Sequence, residues 1–569
     1  MRIGLSACAL CGCMVSAGSC RTENSPTEAA ASKDRPWFVE IGEAAGLEFA
    51  HETGSSGKFL FPEIMGGGCA MFDFDNDGDL DIYLTTGHDL LPQLEGAGPG
   101  NRLFRQEADG RFVDVSESSG LNDRGYGMGV AIGDVDNDGD VDVYVSNYGP
   151  DQLYRNLGDG RFENVTAAAG IAVSGWSTSA VFLDYDGDGF LDLYVTRYVE
   201  VNSLKQCSDG LGRPDYCSPH AFYPIHDVLL HNNGDGSFAD VSRSAGIASV
   251  SAAGLGVVCE DFNDDGRMDI YVANDAFPNN MWINKGDGTF RNDAVILGTA
   301  LNLNGRPEAG MGVVAADFDN DADVDLFMTH LRHESNTLYL NLGGGSGFDD
   351  ATAVKGLGES SIPFTGFGTA AFDVELDGDL DLFVANGAVV RRTPFPQAVV
   401  SPPWNDYAEP NLFYINDGHG RFSESSGGSM AAICSPAEVS RGVAAGDIDS
   451  DGDIDLLVVN LQGAVRLYRN DAPRRGHWLG VRAIDPKLGR DAIGARITLA
   501  AAGGKRIRTI GAGSSYLSSR DLRAHFGLGD WTQVDGIEVR WPDGVRETFA
   551  PPSLDQYITL ERGSGSVTR

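Results

Sequence analysis

The stretch Asp73-Phe-Asp-Asn-Asp-Gly-Asp-Leu-Asp81 decides how this chain is read. Carboxylates stand at its first, third, fifth and ninth positions, with a glycine at the sixth. Alternate aspartates on a tightly turning loop converge, and glycine permits the sharp turn. A hard cation such as calcium takes six to eight oxygens, supplied by carboxylates and backbone carbonyls. The pattern recurs in six further segments, beginning at Asp134, Asp184, Asp261, Asp317, Asp373 and Asp447. Repetition at intervals of this order is the mark of a repeat architecture.

The expected ligands are Asp73, Asp75, Asp77 and Asp81, then Asp134, Asp136, Asp138 and Asp142, then Asp184, Asp186, Asp188 and Asp192. Asp261, Asn263, Asp265 and Asp269 follow, and then Asp317, Asp319, Asp321 and Asp325. Asp373, Glu375, Asp377 and Asp381 make the sixth set, Asp447, Asp449, Asp451 and Asp455 the seventh. Asn263 offers a neutral oxygen, Glu375 a longer stem, and Ala322 stands where the other loops have glycine. An alanine forced to φ > 0 costs about 1 kcal/mol, so the fifth site is expected to be the weakest. An EF-hand is excluded by spacing, because its twelfth position needs a glutamate and here holds Leu84 inside a strand pattern. Single loops of this composition are also ordinary hairpin turns. Seven in register are not, since like charges so close repel unless neutralised.

Each loop is flanked by strand signals. Small and apolar residues precede it (Gly127-Met-Gly-Val-Ala-Ile) and alternating β-branched and aromatic residues follow (Ile82-Tyr-Leu, Val143-Tyr-Val). A third strand recurs as Gln152-Leu-Tyr-Arg-Asn, and an Asp-Gly turn leads to a fourth, as in Gly158-Asp-Gly-Arg-Phe-Glu-Asn-Val. Four antiparallel strands repeated radially build a propeller blade. The seventh unit lacks a fourth strand, while Trp37-Phe-Val-Glu-Ile has the form of one without its predecessors. Residues 37–42 are therefore expected to complete the last blade and leave no open edge. The fold expected is all-β, a seven-bladed β-propeller over 37–470, followed by a small all-β domain over 476–562.

The formal charge of −40, from 82 acidic and 42 basic residues, argues against nucleic acid as a partner. Residues 1–19 read as an export signal, with Arg2, an apolar run from Ile3 to Val15, and Ala17-Gly18-Ser19 before Cys20. The small residues before Cys20 resemble a bacterial lipobox, which would make the protein a lipidated cell-surface or outer-membrane lipoprotein; ordinary cleavage would make it secreted. Membrane contact is expected only through such an anchor, and 20–36 read as a flexible tether. Cys207 and Cys217 share one loop and could pair in an oxidising compartment.

The acidic repeats resemble FG-GAP/VCBS units, the family that includes the integrin α-subunit propeller. That resemblance implies calcium in the loop between the first and second strands of each blade, up to seven ions. Extracellular calcium modules bind with Kd of roughly 10⁻⁴–10⁻³ M. At ten times Kd each ion adds ~1.4 kcal/mol, or ~10 kcal/mol for seven, so the role expected of calcium is structural. Further on, Arg490-Asp-Ala-Ile-Gly-Ala-Arg-Ile, Gly513-Ser-Ser-Tyr-Leu-Ser, His525-Phe-Gly-Leu-Gly and Val539-Arg-Trp-Pro-Asp-Gly544 resemble the ASPIC/UnbV domain. Together the two parts are similar to the cartilage acidic protein family.

No G-x-S-x-G or H-E-x-x-H motif occurs, and nothing places a nucleophile beside His525 or Asp543. The expectation is a binding or adhesion module for a protein or glycan and not an enzyme; the alternative is a polysaccharide-active hydrolase or lyase. Strand order puts the acidic loops on one face and the long insertions 198–226 and 387–410 together on the other. Exposed aromatics there, Trp404 and Tyr407, are the expected partner contacts.

Overall fold

The computed structural model describes residues 35–90, 98–200, 205–501 and 504–568. The export signal, Cys20 and the tether up to residue 34 lie outside the described residues.

In the first repeat the strands Cys69–Phe72, Asp81–Leu84, Arg102–Gln106 and Phe112–Asp114 form a sheet in chain order. Phe72 faces Asp81, Leu84 faces Arg102 and Gln106 faces Phe112, all antiparallel. The acidic loop is thus the hairpin connection between the first two strands. Every later acidic loop sits in the same place, for example between Gly254–Glu260 and Asp269–Asn274 and between Ser440–Gly446 and Asp455–Asn460. Alternation builds these sheets. Ile82 and Leu84 turn one way and Tyr83 the other, and all three are buried because a neighbouring sheet covers each face.

The last repeat is completed from the other end of the chain. Phe38–Glu40 pairs antiparallel with Arg466–Asn470, with Phe38 opposite Asn470, as its sequence form predicted. Two further contacts close the ring. Gly442 donates its N–H to the carbonyl of Gly67 (3.1 Å), and Ile82, Leu84 and Phe104 share a core with Leu457, Val459 and Leu467. A Cβ on Gly442 would lie 2.3 Å from that same carbonyl, so close approach of the innermost strands requires glycine there. The result is a propeller-like ring of four-stranded units.

A repeated polar clamp ties each unit to the one before it. Asn156, at the end of a third strand, donates from Nδ2 to the carbonyl of Phe74 in the preceding acidic loop (2.7 Å). Asn232, Asn284, Asn341, Asn416 and Asn470 do the same to Val135, Tyr185, Phe262, Phe318 and Val374. Gln106 completes the circuit on Ile448 (2.8 Å). These side chains are buried, so each clamp satisfies a carbonyl that would otherwise be stranded.

The C-terminal module has two sheets around its own core, which includes Leu479, Ile497, Phe526, Val539 and Trp541. It extends past the expected boundary at 562, because Ser566–Thr568 pairs with Arg546–Thr548 as an edge strand. It is also not simply appended to the ring. Its segment 512–520 leaves the module and enters the ring's centre. Ser519 pairs with Ala70 of a first strand, Ser515 exchanges both backbone hydrogen bonds with Val313, and Leu517 accepts from Val130 N–H. The Tyr516 hydroxyl donates to the carbonyl of Met65 (2.6 Å), and both Tyr516 and Leu517 are fully buried.

Candidate metal centres and the two faces of the ring

In the first loop the backbone folds around Asp73. Its Oδ1 accepts from Asp77 N–H (3.1 Å) and its Oδ2 from Gly78 N–H (3.0 Å). Asp81 accepts from Phe74 N–H (3.0 Å) and Gln106 N–H (2.8 Å), which fixes it beneath the turn. Asn76 (φ 59°) and Gly78 (φ 97°) both take the left-handed conformation that swings the chain around the carboxylates. Oxygens of Asp73, Asp75 and Asp81 then lie within 4.8 Å of one another. The same gathering occurs at Asp134, Asp136 and Asp142, and at Asp317, Asp319 and Asp325. In the third loop Asp184, Asp186 and Asp188 gather, and Asp186 with Asp192 also meets His231, whose Nδ1 is 3.1 Å from Asp192.

Such gatherings are expensive without a counter-ion. Burial pushes the carboxyls of Asp81, Asp192, Asp269 and Asp325 up to about 8. Asp142, Asp381 and Asp455 are raised well above the carboxylate range for the same reason. One oxygen each of Asp75, Asp136 and Asp319, and both oxygens of Glu375, are buried with no hydrogen-bond partner, although Arg475 stands 2.8 Å from Glu375. A buried acceptor without a donor costs roughly 1–3 kcal/mol, so their recurrence at one equivalent position in four loops calls for a ligand. All-oxygen donor sets are the chemistry of calcium, and these residues fit that ion.

The remaining loops differ, and the difference was not legible in the motif. In the fourth, Arg540 reaches Asp261 Oδ2 (2.6 Å) and Asp264 (3.0 Å), and Asp265 pairs with Arg267; Asn263 Oδ1 accepts from Asp265 N–H (3.0 Å). In the sixth, Arg475 stands 2.8 Å from Glu375 and 3.4 Å from Asp377. In the seventh, Arg474 contacts Asp451 (3.1 Å) and Asp453 (3.0 Å), while Tyr557 donates to Asp447 (2.7 Å). Asp449 is exposed at the turn, its carboxyl raised by partial desolvation and by the neighbouring charge of Asp451. Asp138, Asp321 and Asp377 each cap the N–H two residues on, at Asp140, Asp323 and Asp379. The fifth loop closes around Ala322 at φ 75°, whose N–H reaches Asp317 Oδ2 (3.1 Å) as glycine does elsewhere.

The C-terminal module covers this acidic face. Arg490 donates to Asn137 Oδ1 (2.7 Å) and the carbonyl of Gly189 (3.1 Å), and Arg506 to the carbonyl of Gly378 (2.9 Å). His525 meets the carbonyl of Gly452 (2.9 Å), and Asp543 pairs with Arg562. Sequence reading missed this docking. Its one signal was the density of arginine between 474 and 562 on an otherwise acidic chain.

On the other face the two insertions do stand together. Tyr407 donates to Asp215 (2.6 Å), which also accepts from Arg391 N–H (3.2 Å), and Cys207 and Cys217 form a disulfide. The expected exposure is corrected, however. Trp404 is 7% and Tyr407 1% accessible, because both pack on Tyr216 in a core shared with Phe61, Trp176 and Tyr516. Both are structural anchors for the insertions and not presented contacts. Apolar side chains that do reach solvent there include Leu211 (81%) and Tyr223 (75%) of the first insertion and Val390 and Val399 of the second.

Comparison with known proteins agrees with this architecture. A profile of FG-GAP-like repeats matches residues 73–195 and 209–384 in overlapping units, and the ASPIC and UnbV profile matches 485–567. Human cartilage acidic protein 1 is 26% identical over 556 residues, covering 92% of this chain and 77% of that protein. The Xenopus tropicalis protein of that name is also 26% identical, over 57% of this chain, which spans about half (47%) of its length. Among solved structures, an Agrocybe aegerita lectin that recognises terminal N-acetylglucosamine aligns with TM-score 0.38 at 16% identity, over 70% of this chain and 86% of the lectin. The repeat profile alone matches more than half of the sequence, and the chain belongs to the FG-GAP repeat family, with a C-terminal ASPIC and UnbV module.

Proposed function

We propose that this protein is an exported, seven-bladed propeller held together by calcium, which acts as an adhesion or recognition module for a protein or glycan and not as an enzyme. The observation that carries the metal reading is the set of unpartnered buried oxygens on Asp75, Asp136 and Asp319, each inside a cluster of carboxylates. Calcium fills the first, second, third and fifth loops, and arginine takes much of its electrostatic place in the fourth, sixth and seventh. Its role is structural, since these loops lie at hairpins under the docked C-terminal module. Export through the 1–19 leader, with Cys20 acylated or the chain released, suits a protein with a disulfide. His525 and Asp543, the residues of the C-terminal module most suggestive of chemistry, are engaged in a loop contact and an ion pair. That supports recognition over catalysis.

Metal analysis of the purified chain, followed by thermal melts with calcium and with excess chelator, tests the metal reading. About four calcium ions bound at equilibrium in millimolar calcium and a large fall in melting temperature on chelation are expected; an unchanged melt overturns it. A glycan-array screen paired with a polysaccharide-degradation assay tests the rest. Retention without turnover is expected, and released oligosaccharide would reassign the protein as a hydrolase or lyase.

A further inference from the structure

On the face opposite the acidic loops an open pocket of about 620 Å³ is lined by Arg213, Arg332, Arg391 and Arg392, with Thr393, Pro394 and Asp406. Four guanidinium groups converge there on a chain whose formal charge is −40. All lie on connections between second and third strands, from three different repeats, so no local motif announces them.

The arginines are held before any ligand arrives. The guanidinium of Arg391 lies between the rings of Phe59 (5.1 Å) and Tyr407 (5.9 Å), and that of Arg392 over Phe395 (4.2 Å). Asp215 ties the two insertions together through Tyr407 and the Arg391 backbone, and the Cys207–Cys217 disulfide braces the hairpin that carries Arg213. Their charge is only partly answered. Arg213 pairs with Asp209 (2.7 Å), Arg391 loosely with Asp406 (3.4 Å), and Arg392 with buried Glu409. Arg391 and Arg392 also donate to the carbonyls of Pro214 (3.2 Å) and Pro363 (3.3 Å), and the charge of Arg332 acts on Glu409 without a direct ion pair among the described residues; Nε of both Arg391 and Arg392 is buried without an acceptor. Preorganised, under-neutralised guanidinium forks bind carboxylates in bidentate fashion.

We propose that this pocket binds the carboxylate end of an acidic sugar, a terminal uronate. The proposal rests on the recognition reading above and names its site. A volume of this size lies in the range of roughly 300–1,000 Å³ typical of organic ligand sites and far exceeds a bare inorganic anion. The Thr393 hydroxyl suits ring hydroxyls, and the exposed Pro394 offers an apolar face to the sugar's C–H groups. The strongly acidic surroundings disfavour a long polyanion, so the charge that enters is confined to one residue at the chain end.

Isothermal titration of the full-length protein in calcium, with a neutral glucose oligomer capped by one terminal glucuronate, the same oligomer without the cap, and hexaglutamate, tests this. Binding of the uronate alone is expected, weakening as salt rises. Arg332→Gln and Arg213→Gln should each lower uronate affinity about tenfold. Both side chains lie outside the packed core, so the melting temperature should stay unchanged. Equal binding of neutral oligomers, equal binding of hexaglutamate, or an unaltered affinity in Arg332→Gln overturns the proposal. A neutral glycan or protein retained on the array and indifferent to both substitutions would overturn the pocket while leaving the recognition reading standing.

Discussion

Single residues in this protein are chosen by backbone conformation as much as by charge. The fourth position of each acidic loop is left-handed: Asn76, Asn137, Gly187, Asp264, Asn320, Leu376 and Ser450 all have positive φ. Asparagine, glycine and aspartate suit that region, and Asn76 and Asn320 use their amides to reach Asp140 and Asp379 of the neighbouring loop (2.7 and 2.9 Å). Ala322, at φ 75°, is the mismatch at the sixth position. Ala322→Gly should raise stability by about 1 kcal/mol, read as a rise in denaturation midpoint at unchanged calcium stoichiometry. Buried histidine gives a second residue-level expectation. Burial lowers His51 to about 3 and His330 to about 4, and neither ring nitrogen has a partner. The folded state keeps both neutral, whereas the unfolded chain protonates them near pH 6.5. Their contribution is therefore complete above that pH and shrinks as pH falls toward 4. Melting curves from pH 7.5 to 5 should fall more steeply for the wild type than for His51→Leu; parallel curves would refute this.

At the scale of elements, the segment 512–520 does what no repeat could do for itself. The first strands approach one another closely at Gly68, Gly129, Gly256, Gly312, Gly368 and Gly442, and the centre they enclose must be filled. Tyr516 and Leu517 fill it from the side of the C-terminal module, and Phe61, Ile64 and Met65 from the other. Ser515 and Leu517 adopt φ of 70° and 57°, a cost that the surrounding hydrogen bonds sustain. Truncating a buried leucine typically costs about 2–5 kcal/mol. Leu517→Ala should therefore lower the melting temperature of the whole ring, although the residue belongs to the other module. A loss confined to the C-terminal module, seen by hydrogen exchange, would contradict this account.

For the whole molecule the consequence is cooperativity. Phe38–Glu40 closes the ring, the polar clamps run around it, and arginines of the C-terminal module join its acidic loops. Calorimetry in calcium should show one transition for ring and C-terminal module together. Chelator should shift that transition as a unit, and two separated peaks in calcium would show that the modules fold independently.

Much of this architecture is local and so was legible in the sequence. Acidic loops and their flanking alternation are contiguous, the Asp-Gly turns follow within the same repeat, and Trp37-Phe-Val-Glu-Ile betrays its partner by sharing the form of other fourth strands. Strand order alone also brought the insertions 198–226 and 387–410 to one face. The tertiary structure decided what depends on residues hundreds of positions apart. It buried Trp404 and Tyr407, because Tyr216 and Asp215 from a different repeat receive them. It placed Arg540 on Asp261 and Arg475 on Glu375, so that similar motifs meet different counter-charges. It also gathered Arg332 with Arg391 and Arg392. Periodicity specifies which way a side chain faces along its own strand; what it meets there is set by the closure of the ring.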